Sequence, residues 1–326
     1  MILAGDIGGT NSRLAIFARR RGRLELIIEE TFASREHADL ETILKKFMAS
    51  HELSVDVACF GIAGPITDGR SQAVNLPWVV DARHLTHALD IDTVVLLNDL
   101  EASAYGLAVL AADDFVRLNP GAPNVSGNAA VIAAGTGLGE AGLYWDGQQH
   151  HPFACEGGHS SFAPSDPLQM ELLGFLLCEF EHVSWERVLS GPGLHNIYRF
   201  LRDTGRGEEP AWLKREMQQH DPAAVISQAA LAGKSPLCGQ ALDLFVALYG
   251  AEAGNVALKF MATAGVYVGG GIAPKIIQKL TDSTFLRAFV AKGRLQALLQ
   301  AVPVRIIMND RASLLGAARF AMLKTA

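Results

Sequence analysis

A short glycine-rich segment occurs twice in this chain, each time between two apolar, β-prone runs. The first copy is GDIGGT at residues 5–10, and the second is GTGLG at residues 135–139. Glycine has no Cβ atom, so such a turn can bend through φ > 0 and let backbone N–H groups approach a phosphate closely. Two copies predict two similar halves that face each other, with one turn from each reaching the same nucleotide. This pattern indicates phosphoryl transfer.

Size and composition restrict the other possibilities. A chain of 326 residues exceeds the usual limit of about 250–300 residues for one core, so two domains are expected. The net charge of −6 disfavours a nucleic-acid partner, because such a protein needs a basic surface. Four widely spaced cysteines are typical of reduced thiols. There is no signal-peptide pattern and no uninterrupted apolar run of about 18 residues, so we expect a cytoplasmic protein with no membrane partner.

The first part of the chain predicts the order βββαβαβα. Its expected strands are near 2–4, 12–17, 24–30, 55–60 and 93–97, and its expected helices are near 40–48, from Asp81 through Leu89, and 100–110. Apolar residues that recur at i, i+3, i+4 and i+7 indicate the first helix. The three arginines at 19–21 are expected at a hairpin end.

The second part repeats the sequence of strand, glycine turn and strand. Its expected strands are near 130–133, 141–145, 266–268 and 304–308, and its expected helices are near 167–181, 193–203, 223–232, 237–264 and 312–323. The Asn-, Pro- and Gly-rich stretch 113–127 is predicted to be a hinge. We expect a small α/β domain of residues 1–110 plus 310–326, and a large α/β domain of residues 111–309.

A third glycine cluster strengthens the nucleotide interpretation. Gly269, Gly270 and Gly271 follow an expected strand and precede a helix near Pro274, where backbone can pack against an adenine or ribose. The G-x-x-x-x-G-K-[ST] motif is missing, so the chain is not a P-loop protein. One glycine hairpin alone is as easily an ordinary turn; three clusters make that alternative weaker.

Asp6 lies inside the first glycine segment. Its carboxylate could hold Mg²⁺, directly or through water, against the β- and γ-phosphates. The alternative is an Asx-turn hydrogen bond within its own loop.

Asn98 and Asp99 stand where an apolar strand ends and a helix begins. Ligands in open α/β sheets bind at the carboxyl ends of strands, so a carboxylate here would project into a cleft. Transfer to a hydroxyl requires a base that accepts its proton. Helix capping is the competing interpretation, and both hold if Asn98 caps while Asp99 points outward.

Glu156, His159 and Glu186 form a further polar group in glycine-lined loops. Carboxylates and an imidazole suit a polyhydroxylated ligand, because each carboxylate can accept from two adjacent hydroxyls. A metal site made of His150, His151, Cys155 and His159 is the less favoured alternative, since the spacing is not that of a standard zinc site.

Several motifs together resemble the bacterial glucokinases, within the actin/hexokinase-like sugar kinases. The matching segments are GDIGGTNSRLA at 5–15, LNDLEA at 97–102, AGTGLG at 134–139, EGGH at 156–159, ERVLSGPGL at 186–194 and GGGIAP at 269–274. They run in the family's order across nearly the whole chain. The resemblance implies a two-lobed α/β (ribonuclease H-like) fold with a central cleft, which closes on glucose and ATP–Mg²⁺, usually as a homodimer.

The resemblance also implies residue roles. Asp99 would be the catalytic base for the sugar 6-hydroxyl, and no zinc is expected because no cysteine-rich loop follows. The implied glucose ligands are Asn98, Asp99, Glu156, His159, Glu186 and the backbone near Gly137; the implied ATP-binding residues are Gly5, Asp6, Ile7, Gly8, Gly9, Thr10, Gly135, Thr136, Gly137, Gly269, Gly270, Gly271 and Ile272.

Two other functions remain open from the sequence. One is a kinase for another hexose, such as mannose, fructose or an N-acetylhexosamine. The other is a non-catalytic sugar sensor or transcriptional repressor on the same fold. The repressor would need an N-terminal DNA-binding segment, whereas the first glycine segment already begins at Gly5, and a sensor could lose the base that Asp99 supplies.

Overall fold

The computed structural model describes residues 1–51, 54–73 and 76–325. Residues 52, 53, 74, 75 and 326, which the predicted small domain includes, lie outside the described residues. The described chain divides into two compact units. The first unit comprises residues 1–112, 151–154 and 309–326, and the second comprises 113–150 and 155–308.

Strands and helices are numbered here in chain order. The strands are β1 (Ile2–Ile7), β2 (Asn11–Arg20), β3 (Arg23–Ala33), β4 (Val57–Ile62), β5 (Arg70–Gln72), β6 (Val79–Asp81), β7 (Thr93–Asn98), β8 (Phe115–Asn119), β9 (Ala129–Ala134), β10 (Leu138–Trp145), β11 (His150–Cys155), β12 (Gly265–Gly269) and β13 (Val304–Ile307). The helices are α1 (Leu40–Ala49), α2 (Ala82–Leu89), α3 (Asp99–Gly106), α4 (Pro167–Leu177), α5 (Gly191–Asp203), α6 (Ala211–Gln219), α7 (Pro222–Leu231), α8 (Pro236–Phe260), α9 (Ile277–Leu280), α10 (Ser283–Val290), α11 (Gln296–Ala301) and α12 (Ala312–Lys324).

The first unit is built on a five-stranded sheet of order β3-β2-β1-β4-β7. β1 pairs antiparallel with β2 and parallel with β4, and β4 pairs parallel with β7. The predicted antiparallel meander at the start of the chain is therefore confirmed. Arg21 and Gly22 have φ of 51° and 75° and make the β2–β3 hairpin turn, as the arginine run predicted.

Alternate residues of β1 and β2 bury the two faces of this sheet in separate apolar clusters. Leu3 and Ile7 pack with α1 and α2, whereas Ile2 and Ala4 pack with α3 and α12. This alternation follows from the two-residue period of a strand. The Asp81 side chain accepts from Arg83 N at 2.9 Å and caps α2, as its position in the sequence predicted.

The second unit is built on a six-stranded sheet of order β11-β10-β9-β12-β13-β8. β9 pairs antiparallel with β10 and parallel with β12, so its arrangement repeats that of β1 with β2 and β4. Each glycine turn therefore joins the central strand of a sheet to an antiparallel neighbour. One large apolar cluster, to which α5, α7 and α8 contribute, forms the core of the unit.

One described helix, α8, is long and apolar enough to cross a membrane. Of the apolar stretch of α8 that meets this criterion, 67% is buried inside the protein. Its Glu252 is fully buried and bonded to Lys259 on the same helix. α8 is the central helix of the second core.

The predicted hinge is wrong over residues 115–119, because β8 occupies them and pairs antiparallel with β13. β11, α6, α10, α11 and the β5–β6 pair were also not predicted. The predicted helix 237–264 ends earlier, at Phe260, because Met261 turns left-handed with φ 47° and caps it. The predicted helix 100–110 ends at Gly106, and the predicted helix 167–181 ends at Leu177.

Candidate active site

The first glycine segment is only partly a turn. Gly5, Asp6 and Ile7 belong to β1, and Gly8, Gly9 and Thr10 connect it to β2. The expectation of positive φ is wrong for both copies, since the left-handed glycines of the described chain include none from residues 5–10 or 135–139. Glycine is needed at position 5 for space instead: a Cβ there would lie 2.7 Å from Phe60 and 2.9 Å from Leu14.

The connection between β1 and β2 is held by Ser34. Its hydroxyl donates to Gly8 O at 2.8 Å, and its backbone N–H donates to Thr10 O at 2.9 Å. Gly8 N also donates to Asn11 O at 3.0 Å, which closes the turn. These bonds fix the turn before any ligand binds, so its remaining N–H groups need little reordering to meet a phosphate.

Asp6 is a strand residue, so the Asx-turn alternative does not describe it. Its Oδ1 accepts from the Ser313 hydroxyl at 2.9 Å, and no bond to its Oδ2 is found among the described residues. Burial raises the pKa of Asp6 above its ordinary value, while the Ser313 hydrogen bond and the Arg13 charge act in the opposite direction. A bound cation would favour the ionised carboxylate of Asp6.

Asn98 and Asp99 both bond the start of α3, where Asp99 Oδ1 accepts from Leu100 N at 3.0 Å. Asn98 Oδ1 accepts from Leu100 N at 3.0 Å and Glu101 N at 3.3 Å, so Asn98 caps α3. Its Nδ2 donates to Gly64 O at 3.2 Å, and an amide nitrogen carries a second N–H that could serve a ligand. Asp99 is the first residue of α3 and is half-buried at the carboxyl end of β7.

The second glycine turn and the third glycine cluster meet at the carboxyl ends of β9 and β12. Ile272 N donates to Ala134 O at 3.2 Å, and Gly135 follows Ala134 directly. Gly270 has φ 83°, and a Cβ there would overlap Ala134 O, so only glycine fits. A Cβ at Gly135 or Gly271 would meet nothing within 4 Å, which leaves open backbone on this edge. The structure brings together the second-unit residues that were predicted to bind ATP, namely Gly135, Thr136, Gly137, Gly269, Gly270, Gly271 and Ile272.

Tyr249 is a residue of this edge that sequence reasoning missed. Its hydroxyl, on α8, accepts from Ala134 N at 3.1 Å and lies 3.1 Å from Gly269 O. Complete burial raises the pKa of Tyr249, so the phenol remains neutral and can donate. A single tyrosine in a long apolar helix gives no sequence signal that it joins two strand ends.

We expect Tyr249→Phe to lower the free energy of unfolding by about 1–3 kcal/mol, because Ala134 N would be left buried without an acceptor. The KM for ATP should rise more than the KM for the sugar, because the nucleotide edge loosens. Chemical denaturation and initial-rate kinetics measure both quantities. Tyr198→Phe is the matched control: it removes a buried tyrosine bond to Glu209, away from the strand ends, and should leave the KM for ATP unchanged.

The predicted sugar ligands of the second unit lie together. His159 Nδ1 is 3.6 Å from Glu156 Oε2, and His159 Nε2 is 3.9 Å from Glu186 Oε1. Leu138 N donates to Glu186 Oε2 at 3.0 Å, and a Cβ at Gly137 would lie 2.5 Å from that oxygen. Gly137 is therefore glycine because Glu186 lies against the turn. Glu186 Oε1 points to the imidazole and is available to a ligand.

The loops that carry these side chains are tightly packed. Trp185 is 2% exposed, and its ring meets that of Phe162 edge to face at 5.0 Å between centroids. The backbone N–H of Trp185 donates to Ser160 O at 3.0 Å. Glu186, next in the chain, is thereby fixed. A Cβ at Gly158 would overlap Leu138 O, so the turn 157–159 packs directly on β10.

A cavity of about 340 Å³ adjoins this group. It is lined by His159, Glu179, Phe180, Glu181, His182, Ser184, Glu186 and Arg187. Its size is at the lower end of small-molecule sites, which suits a monosaccharide. Of the alternative metal ligands, His150 Nε2 lies 3.0 Å from Gly127 O and the ring packs on Trp145, so His150 is engaged elsewhere.

Comparison with known proteins decides the family. The family model for glucokinases matches residues 3–324. The chain belongs to the glucokinase family. A curated glucokinase from Nostoc sp. is 40% identical over 334 residues, which cover 98% of each chain. One from Yersinia pestis is 36% identical over 98% of this chain and 95% of the relative.

Solved glucokinase structures share the fold. A glucokinase from an Antarctic psychrotroph superposes with a TM-score of 0.84 at 31% identity, over 98% of each chain. A glucokinase from Streptomyces griseus of the ROK group, in complex with glucose and AMPPNP, has a TM-score of 0.66 at 21% identity over 99% of each chain. The predicted family, the mixed α/β fold of the actin/hexokinase-like class and the predicted sugar-kinase activity with ATP are confirmed.

Proposed function

We propose that this chain transfers the γ-phosphoryl group of ATP to the 6-hydroxyl of glucose, which gives glucose 6-phosphate and ADP. The observation that carries the proposal is the bond from Leu138 N to Glu186 Oε2 at 3.0 Å, which joins a sugar-binding carboxylate to the glycine turn. Glu186, a proposed acceptor for sugar hydroxyls, is thus bonded to the first residue of β10, directly after the turn whose backbone is proposed to bind a phosphate.

Asp99 is the proposed base. Its carboxylate accepts the proton of the 6-hydroxyl while that oxygen attacks the γ-phosphorus, and the bond to the bridging oxygen of ADP breaks in line. Asn98 holds the start of α3 by its cap, and its second amide hydrogen is offered to the sugar. The proposed phosphate ligands are the N–H groups of Gly9 and Thr10 on the first unit and of Thr136 and Gly137 on the second. The N–H groups of Gly8 and Gly135 are already bonded to Asn11 O and Gly137 O within their own turns.

Asp6 fits a magnesium ion that ATP brings with it. A single carboxylate with one oxygen bonded to Ser313 suits Mg²⁺, which keeps most of its water and phosphate ligands in such sites. When bound, Mg²⁺ would offset charge on the β- and γ-phosphates. We further propose a cytoplasmic homodimer that uses no zinc and binds no nucleic acid.

A Glu186→Gln variant tests the sugar site. The glutamine oxygen can still accept from Leu138 N, but its NH₂ group cannot accept from a sugar hydroxyl. Loss of one charged acceptor should raise the KM for glucose about 10- to 100-fold, with a much smaller change for ATP. Glu208→Gln is the control and should leave both values unchanged, because Glu208 is an exposed acid of the second unit that does not line this cavity. Equal or reversed shifts would remove Glu186 from the sugar site.

Phosphorylation rates over a panel of hexoses and phosphoryl donors test the function as a whole. With ATP as donor, we expect glucose to give a higher kcat/KM than mannose, fructose and N-acetylhexosamines. With glucose as acceptor, we expect ATP to give a higher kcat/KM than ADP or polyphosphate. A different preferred hexose would replace glucose in the proposal. Tight glucose binding without turnover would favour the sensor.

A further inference from the structure

Glu140 on β10 is a buried acid that the proposed reaction does not use. Its side chain is 1% exposed, and neither carboxyl oxygen has a hydrogen-bond partner among the described residues. An ionised carboxylate in such a place lacks both water and donors, which is costly.

The groups around Glu140 do not compensate its charge. α8 contributes Glu252, Lys259 and Tyr249, and β11 contributes Cys155. Lys259 Nζ donates to Glu252 Oε1 at 2.9 Å, so the cation is bonded to the other acid. Burial, and then the Glu252 charge, raise the pKa of Glu140 to about 8, although Lys259 opposes the shift. Near neutral pH Glu140 is therefore mostly a neutral carboxylic acid.

The Glu140 carboxyl lies directly under the loop that carries two proposed sugar ligands. A Cβ at Gly157 would overlap Glu140 Oε2, and it would lie 3.2 Å from Cys155 Sγ. Gly157 N donates to that same sulfur at 3.2 Å. Glu156 precedes Gly157 and His159 follows it by two residues, so both proposed ligands belong to the turn whose Gly157 rests on the Glu140 carboxyl.

We propose that Glu140 is a positioning residue, whose neutral carboxyl supports the turn 157–159 and so sets Glu156 and His159 for the sugar. This inference rests on the proposed function. Ionisation of Glu140 would place a second negative charge beside Glu252 and require donors or water that the site lacks. The turn above it is the element that would have to move.

The expected consequence is a sugar affinity that depends on pH. If the ionised form binds glucose poorly, the KM for glucose should rise about tenfold between pH 7 and 9, following a single ionisation near 8. The KM for ATP should change much less, because the third glycine cluster and the β9 end do not rest on Glu140. Initial rates with glucose and ATP varied separately over this pH range measure both.

Glu140→Gln is the decisive variant, because the amide keeps the size and the neutrality of the acid. Its KM for glucose should lack the rise near pH 8. Glu252→Gln is the second variant: without the Glu252 charge, the pKa of Glu140 should fall, and the rise should move to lower pH. If Glu140→Gln fails to fold, the direction in which Glu252→Gln moves the pH dependence of the KM for glucose tests the positioning role of Glu140.

Thermal unfolding gives an independent readout. The native state keeps a proton on Glu140 up to about pH 8, whereas the unfolded chain loses it near 4.5. The native state then binds more protons between these values, so this group makes stability fall as pH rises through that window. Glu140→Gln should lack this fall, so its melting temperature minus that of the wild type should increase with pH across this window.

The results separate this inference from the proposed function. If the KM for glucose still rises near pH 8 in Glu140→Gln, the rise comes from another group, such as His159, Glu156 or Cys155. That result would overturn the positioning role of Glu140. A KM for glucose that does not rise between pH 7 and 9 in the wild type would overturn the positioning role as well. Either result leaves glucose phosphorylation itself intact. Failure of the chain to phosphorylate glucose at any pH would instead overturn the proposed function.

Discussion

Asp99→Asn is expected to lose about 10²- to 10⁴-fold in kcat, the range that a positioned base contributes. The amide cannot accept the proton of the 6-hydroxyl, yet it can still form hydrogen bonds to the sugar. Glucose binding should therefore weaken far less than turnover. The fold should be preserved, because Asn98 caps α3 with two backbone bonds and an asparagine oxygen at position 99 can still accept from Leu100 N, as Asp99 Oδ1 does at 3.0 Å. Isothermal titration with glucose, beside a coupled assay of ADP formation, measures both quantities.

Asp92→Asn is the matched control for this experiment. Asp92 is an exposed acid of the same unit, next to the start of β7 rather than at its carboxyl end. Its variant should retain wild-type rates. Retained turnover in Asp99→Asn would refute the role of base. A loss of glucose binding as large as the loss of turnover would make Asp99 a sugar ligand only.

Gly316→Ala is expected to have the largest effect on stability. A Cβ at Gly316, on α12, would overlap Ala102 O and lie 2.6 Å from Gly106 N, both on α3. Backbone atoms cannot turn aside as a flexible side chain can, so the two helices would have to separate. We expect a loss of about 3 kcal/mol or more in the free energy of unfolding. Because α3 begins at Asp99, kcat should also fall while the protein is still folded.

Gly174→Ala is the control, since it makes the same change in a helix with free space. A Cβ at Gly174, on the exposed side of α4, meets nothing within 4 Å. Alanine there should stabilise the helix by up to about 1 kcal/mol. Denaturant unfolding of both variants would show effects of opposite sign. Similar effects would mean that the α3–α12 contact is not as tight as the structure has it.

Much of the fold was predictable from local patterns. The β1–β3 meander, the cap at Asp81 and the helix at 40–49 follow from alternation, turn residues and helical periodicity, which act over a few residues. Strand β8 was not predictable from local patterns, because it lies within an Asn- and Pro-rich stretch. It forms through its pairing with β13, which lies almost two hundred residues later in the chain. Tertiary pairing overrides local propensity in such segments.

The candidate site shows the same division. The sequence predicted that the second-unit acids and glycines form a site, and the structure places His159 near Glu156 and Glu186 and bonds Glu186 to the residue after Gly137. The roles of the glycines were predicted less well: Gly5 and Gly137 avoid collisions rather than adopt positive φ, and only Gly270 among the three clusters is left-handed. A collision depends on what packs opposite, which no local pattern reports.

The order of motifs along the chain determined the family and the class of reaction, and it predicted the residues that we propose to carry it. The tertiary structure alone decided that Tyr249 bonds the ends of β9 and β12 and that Glu140 lies buried under the turn 157–159. It also decided that Gly316 and Gly106 let α12 and α3 come into contact. The physical reason is that motif residues reveal their chemistry by type and spacing. Supporting residues act through neighbours that are distant in sequence, and only the folded chain brings those neighbours together.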